Sequence, residues 1–146
     1  MCIRDSFFIL ENLSNEEKLI QKNVKDFSDR VLRPTVVAHN RDHKFDKDLY
    51  KEFGQLGLLG STLKNHGGAG VSSAAYGLIA YEIEKVDSSY RSSISVQSSL
   101  VIHPIDSFGS NEQKQRYLPK LISGEKIGCF GPVSYTHLTL PTILLV

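Results

Sequence analysis

Apolar and polar positions recur with helical period over most of the chain. In "LSNEEKLIQKNVKDFSDRVL" the residues Ile20, Val24, Phe27 and Val31 share one face, with lysines and acids opposite, which predicts an amphipathic helix. Ser14 followed by Glu17 forms a capping box, each side chain satisfying the other residue's backbone N–H. Pro34 is expected to disturb the far end of this helix, because it has no N–H to donate and its ring crowds the preceding turn. A second helix is predicted in "FDKDLYKEFGQLGLLG", with Asp46 as N-cap and Phe45 stapled onto Tyr50. Leu49, Phe53 and Leu56 would form its apolar stripe, and Gly57 would supply the left-handed stop.

The pattern then lapses in "GSTLKNHGGAGVSS", a polar, glycine-rich loop. Its GGAG run lacks the Lys-Ser/Thr of a P-loop, and no strand precedes it, so a phosphate cradle is not supported. Periodicity resumes in "SSAAYGLIAYEIEKVD", whose inner face is Tyr76, Ile79, Ala80, Ile83 and Val86. A fourth helix fits "SSYRSSISVQSSLVIHPIDSFG", where the serines would let a helix or a ligand approach closely, and Gly109 ends it. Ser110 with Gln113 is a second capping box, opening "NEQKQRYLPKLIS", and Gly124 closes that helix. "KIGCFG" has the character of a strand start. The expected architecture is all-α: about five helices, with a β element just beginning.

Composition narrows the function classes. The chain of 146 residues suits one domain with a genuine core. Lys+Arg 17 against Asp+Glu 16 leaves no basic footprint for nucleic acid. The apolar run at the end is too short to span a bilayer, and the start has no signal-peptide core, so no membrane role is expected. Cys2 and Cys129 have no metal-ligand spacing, and Cys129 reads as a buried, inert thiol. His39 and His43 lie one turn apart without the glutamate of a zinc-protease helix, so no metal is expected there. His103, beside Pro104 on an apolar stretch, reads as a core histidine.

The final "PVSYTHLTLPTILLV" contains no Asp, Glu, Lys or Arg. Set in reverse against residues 133–137, the first five residues can be back-translated as reverse complements. ATG of Met1 pairs with CAT of His137, TGT of Cys2 with ACA of Thr136, and ATA of Ile3 with TAT of Tyr135. AGA of Arg4 then pairs with TCT of Ser134, and GAC of Asp5 with GTC of Val133. Protein selection has no reason to produce that relation, and both ends resemble the translation of a transposon-type sequencing adapter. Residues 1–6 and 132–146 are therefore expected to be non-native and are set aside before the fold is considered. Residues 7–125 are read as a helical domain and 126–131 as the start of a middle β domain.

With the ends removed, the run from "GQLGLLG" through "HGGAG" and "GSNEQKQRYLPKLISGE" to "GCFG" resembles the N-terminal region of the acyl-CoA dehydrogenases. "EIEKVDSSYRSSISVQSSLVIHPI" is most similar to the glutaryl-CoA dehydrogenases among them, and the YRS triplet carries that distinction. The resemblance implies a flavoprotein with an N-terminal helical domain, a middle β domain and a C-terminal helical bundle. FAD and the acyl-CoA thioester would lie between these layers. A glutamate beyond this chain would remove the α-proton as the β-hydride moves to the flavin, and glutaconyl-CoA would lose carbon dioxide to give crotonyl-CoA. The implied partners are glutaryl-CoA, an electron-transfer flavoprotein and further copies of the chain in a homotetramer. The implied location is the bacterial cytoplasm or, in a eukaryote, the mitochondrial matrix. The chain itself is expected to be an inactive fragment.

Within that resemblance a dicarboxylic acyl group needs a cation at its distal end, since an unpaired buried carboxylate is costly. Arg91 is the candidate, with Ser92 and Ser95 as hydroxyl donors and Glu84 orienting the guanidinium by a charge-assisted bond. "KVDSS" is expected to strain that pairing by breaking the helix between them. Phe130 and Gly131 match the family's flavin-contacting stretch. Two alternatives differ in class: an acyl-CoA dehydrogenase or oxidase relative with another acyl group, and a non-catalytic helical interaction module.

Overall fold

The computed structural model describes residues 12–131. Both adapter-like segments, 1–6 and 132–146, lie outside the described residues. Five helical rods follow one another. Helix α1 (15–41) runs through Asn15–Phe27, a π-helical stretch Ser28–Leu32 and Arg33–Arg41. Helix α2 is Leu49–Gln55 and α3 is Ser73–Glu84. Helix α4 (88–108) joins Ser88–Ser95, a second π-helical stretch Val96–Ile102 and His103–Phe108, and α5 is Asn111–Ile122. The described residues contain no strand.

Both capping boxes form: Ser14 with Glu17 opens α1, and Ser110 with Gln113 opens α5. Glu17 does more than close its own box. One oxygen accepts from the Ser14 N–H at 2.9 Å, and the other accepts from the Ser72 hydroxyl at 2.6 Å. Ser72 is itself the N-cap of α3, so one carboxylate links the starts of two packed helices. Those bonds hold the Glu17 carboxyl below its ordinary range, the Ser72 hydroxyl being the largest cause.

The disturbance expected near Pro34 falls just before it. The Arg33 N–H reaches back five residues to the Ser28 carbonyl, and the His103 N–H reaches back five to Ser98. In each case a proline follows at once, Pro34 and Pro104. Proline cannot donate to the ladder and crowds the carbonyl four residues back, and a widened turn accommodates both problems. Pro119 sits inside α5 without such widening, so proline permits the π geometry rather than dictating it.

The core joins Val24, Phe27 and Leu32 of α1 to Phe53 of α2, Ile79 and Ile83 of α3, Ile94 and Ile102 of α4, and Leu118 of α5. Helix α1 packs along α3, α3 against α4, and α4 against α5. Phe27 and Phe53 meet edge to face at 6.1 Å. Phe45 sits 5.8 Å from Tyr50 and 5.9 Å from Tyr90, so the expected ring contact forms, but with α2 beginning at Leu49 it is not the staple of that helix's first turn.

Several expectations are corrected. Asp46 caps the turn before α2, accepting the Asp48 N–H at 2.9 Å, while the helix begins at Leu49. Leu56 is exposed, because Gly57 (φ +68°) ends the helix and turns the chain away from the Leu49–Phe53 stripe. His103 is exposed, its ring facing Ser107 rather than the core. Cys129 is exposed too, since the segment carrying it is covered only on its α4 side. In the glycine-rich loop, Gly68 lies against the backbone of Leu63, where a Cβ would collide with the Leu63 carbonyl. Close backbone packing thus accounts for a glycine there.

Candidate functional site

Helices α3 and α4 meet along a narrow, closed cleft with essentially no room for a water molecule, lined by Tyr76, Ile79, Ala80 and Ile83 on one side and Arg91, Ile94 and Ser95 on the other. The wall is apolar because the inner face of α3 continues past the core into the cleft. Ile79 and Ile83 are buried, while Tyr76 and Ala80 are half-buried beside them.

The polar end is built at the junction of the two helices. Helix α3 stops at Glu84, and Asp87 caps α4 by accepting the Ser89 N–H at 2.8 Å. Asp87 also accepts from the Asn40 amide at 3.0 Å, pinning the junction to the end of α1. Hydrogen bonds from Ser89 and then Asn40 hold the Asp87 carboxyl below its usual range. The helix break expected from "KVDSS" is real, yet Arg91 and Glu84 still meet: Nε donates to Oε2 at 2.7 Å. The other Glu84 oxygen accepts from the Ser88 hydroxyl at 2.7 Å. Arg91 first, and Ser88 second, keep the Glu84 carboxyl below its ordinary value.

Arg91, Ser95 and Glu84 are therefore brought together, Ser95 lying on the cleft wall one turn beyond the guanidinium. Ser92, adjacent in the chain, is half-buried on α4 but does not line the cleft. Phe130 and Gly131 are not part of the cleft. They lie in the exposed segment after α5, with Phe130 52% exposed.

Among the buried polar residues that sequence reasoning missed are Glu82 and Gln97. Glu82, 2% exposed, accepts from Gln21 of α1 at 2.8 Å and from Lys85 at 2.8 and 3.0 Å. Gln97, also 2% exposed, bonds to the backbone of Gly128. The signal for Gln97 was its place on the buried stripe Ile94–Val101 of a helix otherwise apolar or serine-lined. Ser98 belongs to the same stripe and accepts the Gly60 N–H at 3.1 Å, which gives one of the serines a packing role.

Residues 14–125 match the family model for "Acyl-CoA dehydrogenase, N-terminal domain", and the chain belongs to that family. Among solved structures, it is similar to a glutaryl-CoA dehydrogenase from Mycobacterium smegmatis in complex with FADH2. The TM-score is 0.84 and the identity 42%, over 86% of this chain and 32% of that one. A chain in the structure of an electron transferring flavoprotein of Acidaminococcus fermentans aligns with a TM-score of 0.74 and 32% identity, over 80% of this chain and 31% of its own. The human short-chain specific acyl-CoA dehydrogenase of mitochondria is 35% identical over 120 residues, 82% of this chain and 29% of its own. This chain spans about a third of the length of the relatives it matches.

Proposed function

We propose that the chain is the N-terminal helical part of an FAD-dependent dehydrogenase acting on a short dicarboxylic acyl-CoA, with glutaryl-CoA as substrate. The observation that carries this reading is the Arg91–Glu84 pair at the mouth of the α3–α4 cleft. Glu84 occupies Nε, and among the described residues no other group bonds to the guanidinium. The two terminal nitrogens are left as a fork matching a carboxylate in geometry and charge. The apolar side chains of Tyr76, Ile79, Ile83 and Ile94 line the cleft beside the guanidinium, and the cleft would have to widen to hold a methylene chain behind that carboxylate. Ser95 stands one turn along, where a hydroxyl can share the load.

Bound FAD would supply the acceptor for the hydride leaving the β-carbon. The residues here that fit a flavin are Phe130 and Gly131. Phe130 presents an exposed aromatic face, and beside Gly131 a Cβ would meet nothing within 4 Å. The remaining flavin contacts, the base and the docking of an electron-transfer flavoprotein belong to the rest of the protein, as does assembly into a homotetramer. The similarity to a chain in an electron transferring flavoprotein structure supports that partner.

The short-chain relatives support a second reading, a monocarboxylic substrate. Arg91 separates the two, because a saturated tail gives no reason for a cation. In the full-length enzyme Arg91→Ala is expected to lower kcat/KM for glutaryl-CoA by about 30-fold, the low end for truncating one member of a buried charge pair. That end is chosen because the Arg91 side chain is 37% exposed here. Butyryl-CoA should be nearly unaffected. Equal losses on both substrates would make Arg91 structural and defeat the dicarboxylate reading.

A further inference from the structure

We infer that Gln97 is a positioning residue, whose side chain acts as a one-residue strand partner for Gly128 and sets the register of segment 127–131 against α4. Its Nε2 donates to the Gly128 carbonyl at 2.6 Å, and its Oε1 accepts the Gly128 N–H at 3.0 Å. A carboxamide carries the same donor and acceptor as a peptide group, so the pair has the exchange pattern of two residues facing each other in an antiparallel ladder. Gly128 is the only hydrogen-bond partner of the Gln97 side chain among the described residues, and Gln97 is 2% exposed, so both halves of the pair matter to its burial.

The neighbours of the pair are shaped to it. A Cβ on residue 128 would collide with the Val101 side chain, one turn along α4 from Gln97, so only glycine can come this close. Beyond the Lys126 N–H, which bonds back to the Lys120 carbonyl, no other hydrogen bond holds 127–131 among the described residues. Among the described residues, the Gln97 pair is thus the hydrogen-bonded anchor of the segment that carries Phe130 and Gly131. Gln97 lies on the helix that carries Arg91 and Ser95. The functional consequence, that Gln97 ties the flavin edge to the substrate cleft, rests on the reading above; the latch itself does not.

The test has two arms. The first is amide hydrogen exchange by NMR on the 146-residue chain. The Gly128 amide should be protected about tenfold or more relative to Cys129, the worth of one or two net hydrogen bonds. Gln97→Leu should abolish that protection at every pH with the helical circular dichroism retained. Gln97→Glu should weaken it at high pH, where the ionised carboxylate can still accept the Gly128 N–H but faces the Gly128 carbonyl with no donor, and restore it at lower pH, where the protonated acid donates and accepts like the amide. Burial moves that switch toward neutrality. An unprotected Gly128 amide in the wild type, or losses in Gln97→Glu that do not depend on pH, would overturn the latch. The second arm follows flavin release by fluorescence in the full-length holoenzyme. Gln97→Glu should release flavin about tenfold faster at high pH than at low pH, relative to wild type. A confirmed latch with unchanged release would overturn the positioning role while leaving the Arg91 reading intact. Failure of the full-length wild type to bind flavin would defeat the proposed function and leave the first arm to judge the latch.

Discussion

Arg91 reaches back across a helix boundary to Glu84, Nε to Oε2 at 2.7 Å, although α3 has ended and α4 has begun between them. Seven residues would be two turns of an unbroken helix, and the cap at Asp87 preserves nearly that spacing while bending the path. The pair is neutral as a unit. Its attraction for a third, anionic group rests on the two unspent guanidinium nitrogens, a matter of directed hydrogen bonds more than of net charge.

The first prediction concerns pH. Arg91, and to a lesser extent Ser88, holds the Glu84 carboxyl below its ordinary value. A carboxyl depressed in the folded state contributes stability that is fully present above its unfolded pKa and is lost as pH falls through the folded pKa. The Arg91–Glu84 contact should therefore persist from neutrality into acid and open with a midpoint below that of an ordinary glutamate. A carbon-13 titration of the Glu84 side chain reads this directly. Arg91→Ala should return the midpoint most of the way toward an ordinary glutamate, Ser88→Ala by a smaller step, and an unmoved midpoint in Arg91→Ala would count against the pair.

The second prediction tests the start of α5. The Ser110 hydroxyl accepts the Gln113 N–H at 3.2 Å, and the Gln113 side chain accepts the Ser110 N–H at 2.8 Å. Ser110→Ala removes the first of these and should cost about 1 kcal/mol, whereas Ser110→Gly should cost only a few tenths. Urea unfolding followed at 222 nm distinguishes the two, and equal costs would mean that the hydroxyl bond is not what stabilises the start.

Features set by local chemistry could be read from the chain without coordinates. Both capping boxes, the Phe45–Tyr50 ring contact, the stop at Gly57 and the inner face at Ile79 and Ile83 depend on residues within a few positions of one another. The pairing of Arg91 with Glu84 was legible for the same reason, through spacing and the resemblance to a family. What escaped needed partners distant in sequence. Glu82 is charged and sits among exposed-looking neighbours, so only the arrival of Gln21, 61 residues away, reveals it as buried. Gln97 lies on the buried stripe of α4, but what it bonds to is evident only once Gly128, 31 residues on, lies beside it. Leu56, His103 and Cys129 failed in the opposite sense: each suits a core, but the chain turns outward where it lies.

The third prediction addresses the contact between α2 and the end of α5. A Cβ on Gly54 would collide with the carbonyl of Ser123, and one on Gly124 with the carbonyl of Tyr50. Both obstacles are backbone, so neither can move aside as a side-chain tip could. Gly54→Ala should cost about 1–3 kcal/mol as an overpacking change. Gly124→Ala should cost more, because φ there is +73° and adds strain that an L side chain rarely accepts. Exposed Gly77, where an added Cβ meets nothing within 4 Å, lies inside α3 and should gain stability as alanine. The order Gly77→Ala, Gly54→Ala, Gly124→Ala in falling thermal midpoint is the expected result, and a reversed order would refute the packing account.

The last prediction concerns the buried carboxylate between α1 and α3. Glu82 is 2% exposed and holds three hydrogen bonds, one from Gln21 and two from Lys85. Lys85 also lies 4.1 Å from the centre of the Tyr81 ring and keeps about a third of its side chain in water (32%). Truncation by Glu82→Ala strands the Gln21 amide in the interface, while Lys85 can turn out to solvent. The expected cost is about 2–3 kcal/mol, below the full penalty for breaking a buried pair because one partner can rehydrate. Replacing both ends by apolar side chains, Gln21→Leu with Glu82→Leu, removes the orphan as well as the bond and should cost less than Glu82→Ala alone. A double-mutant cycle over Gln21 and Glu82, read by urea unfolding, should therefore show a coupling of about 1 kcal/mol or more. Strict additivity would mean that the two helices are held by their apolar faces alone, and that Glu82 is tolerated there without contributing to the interface.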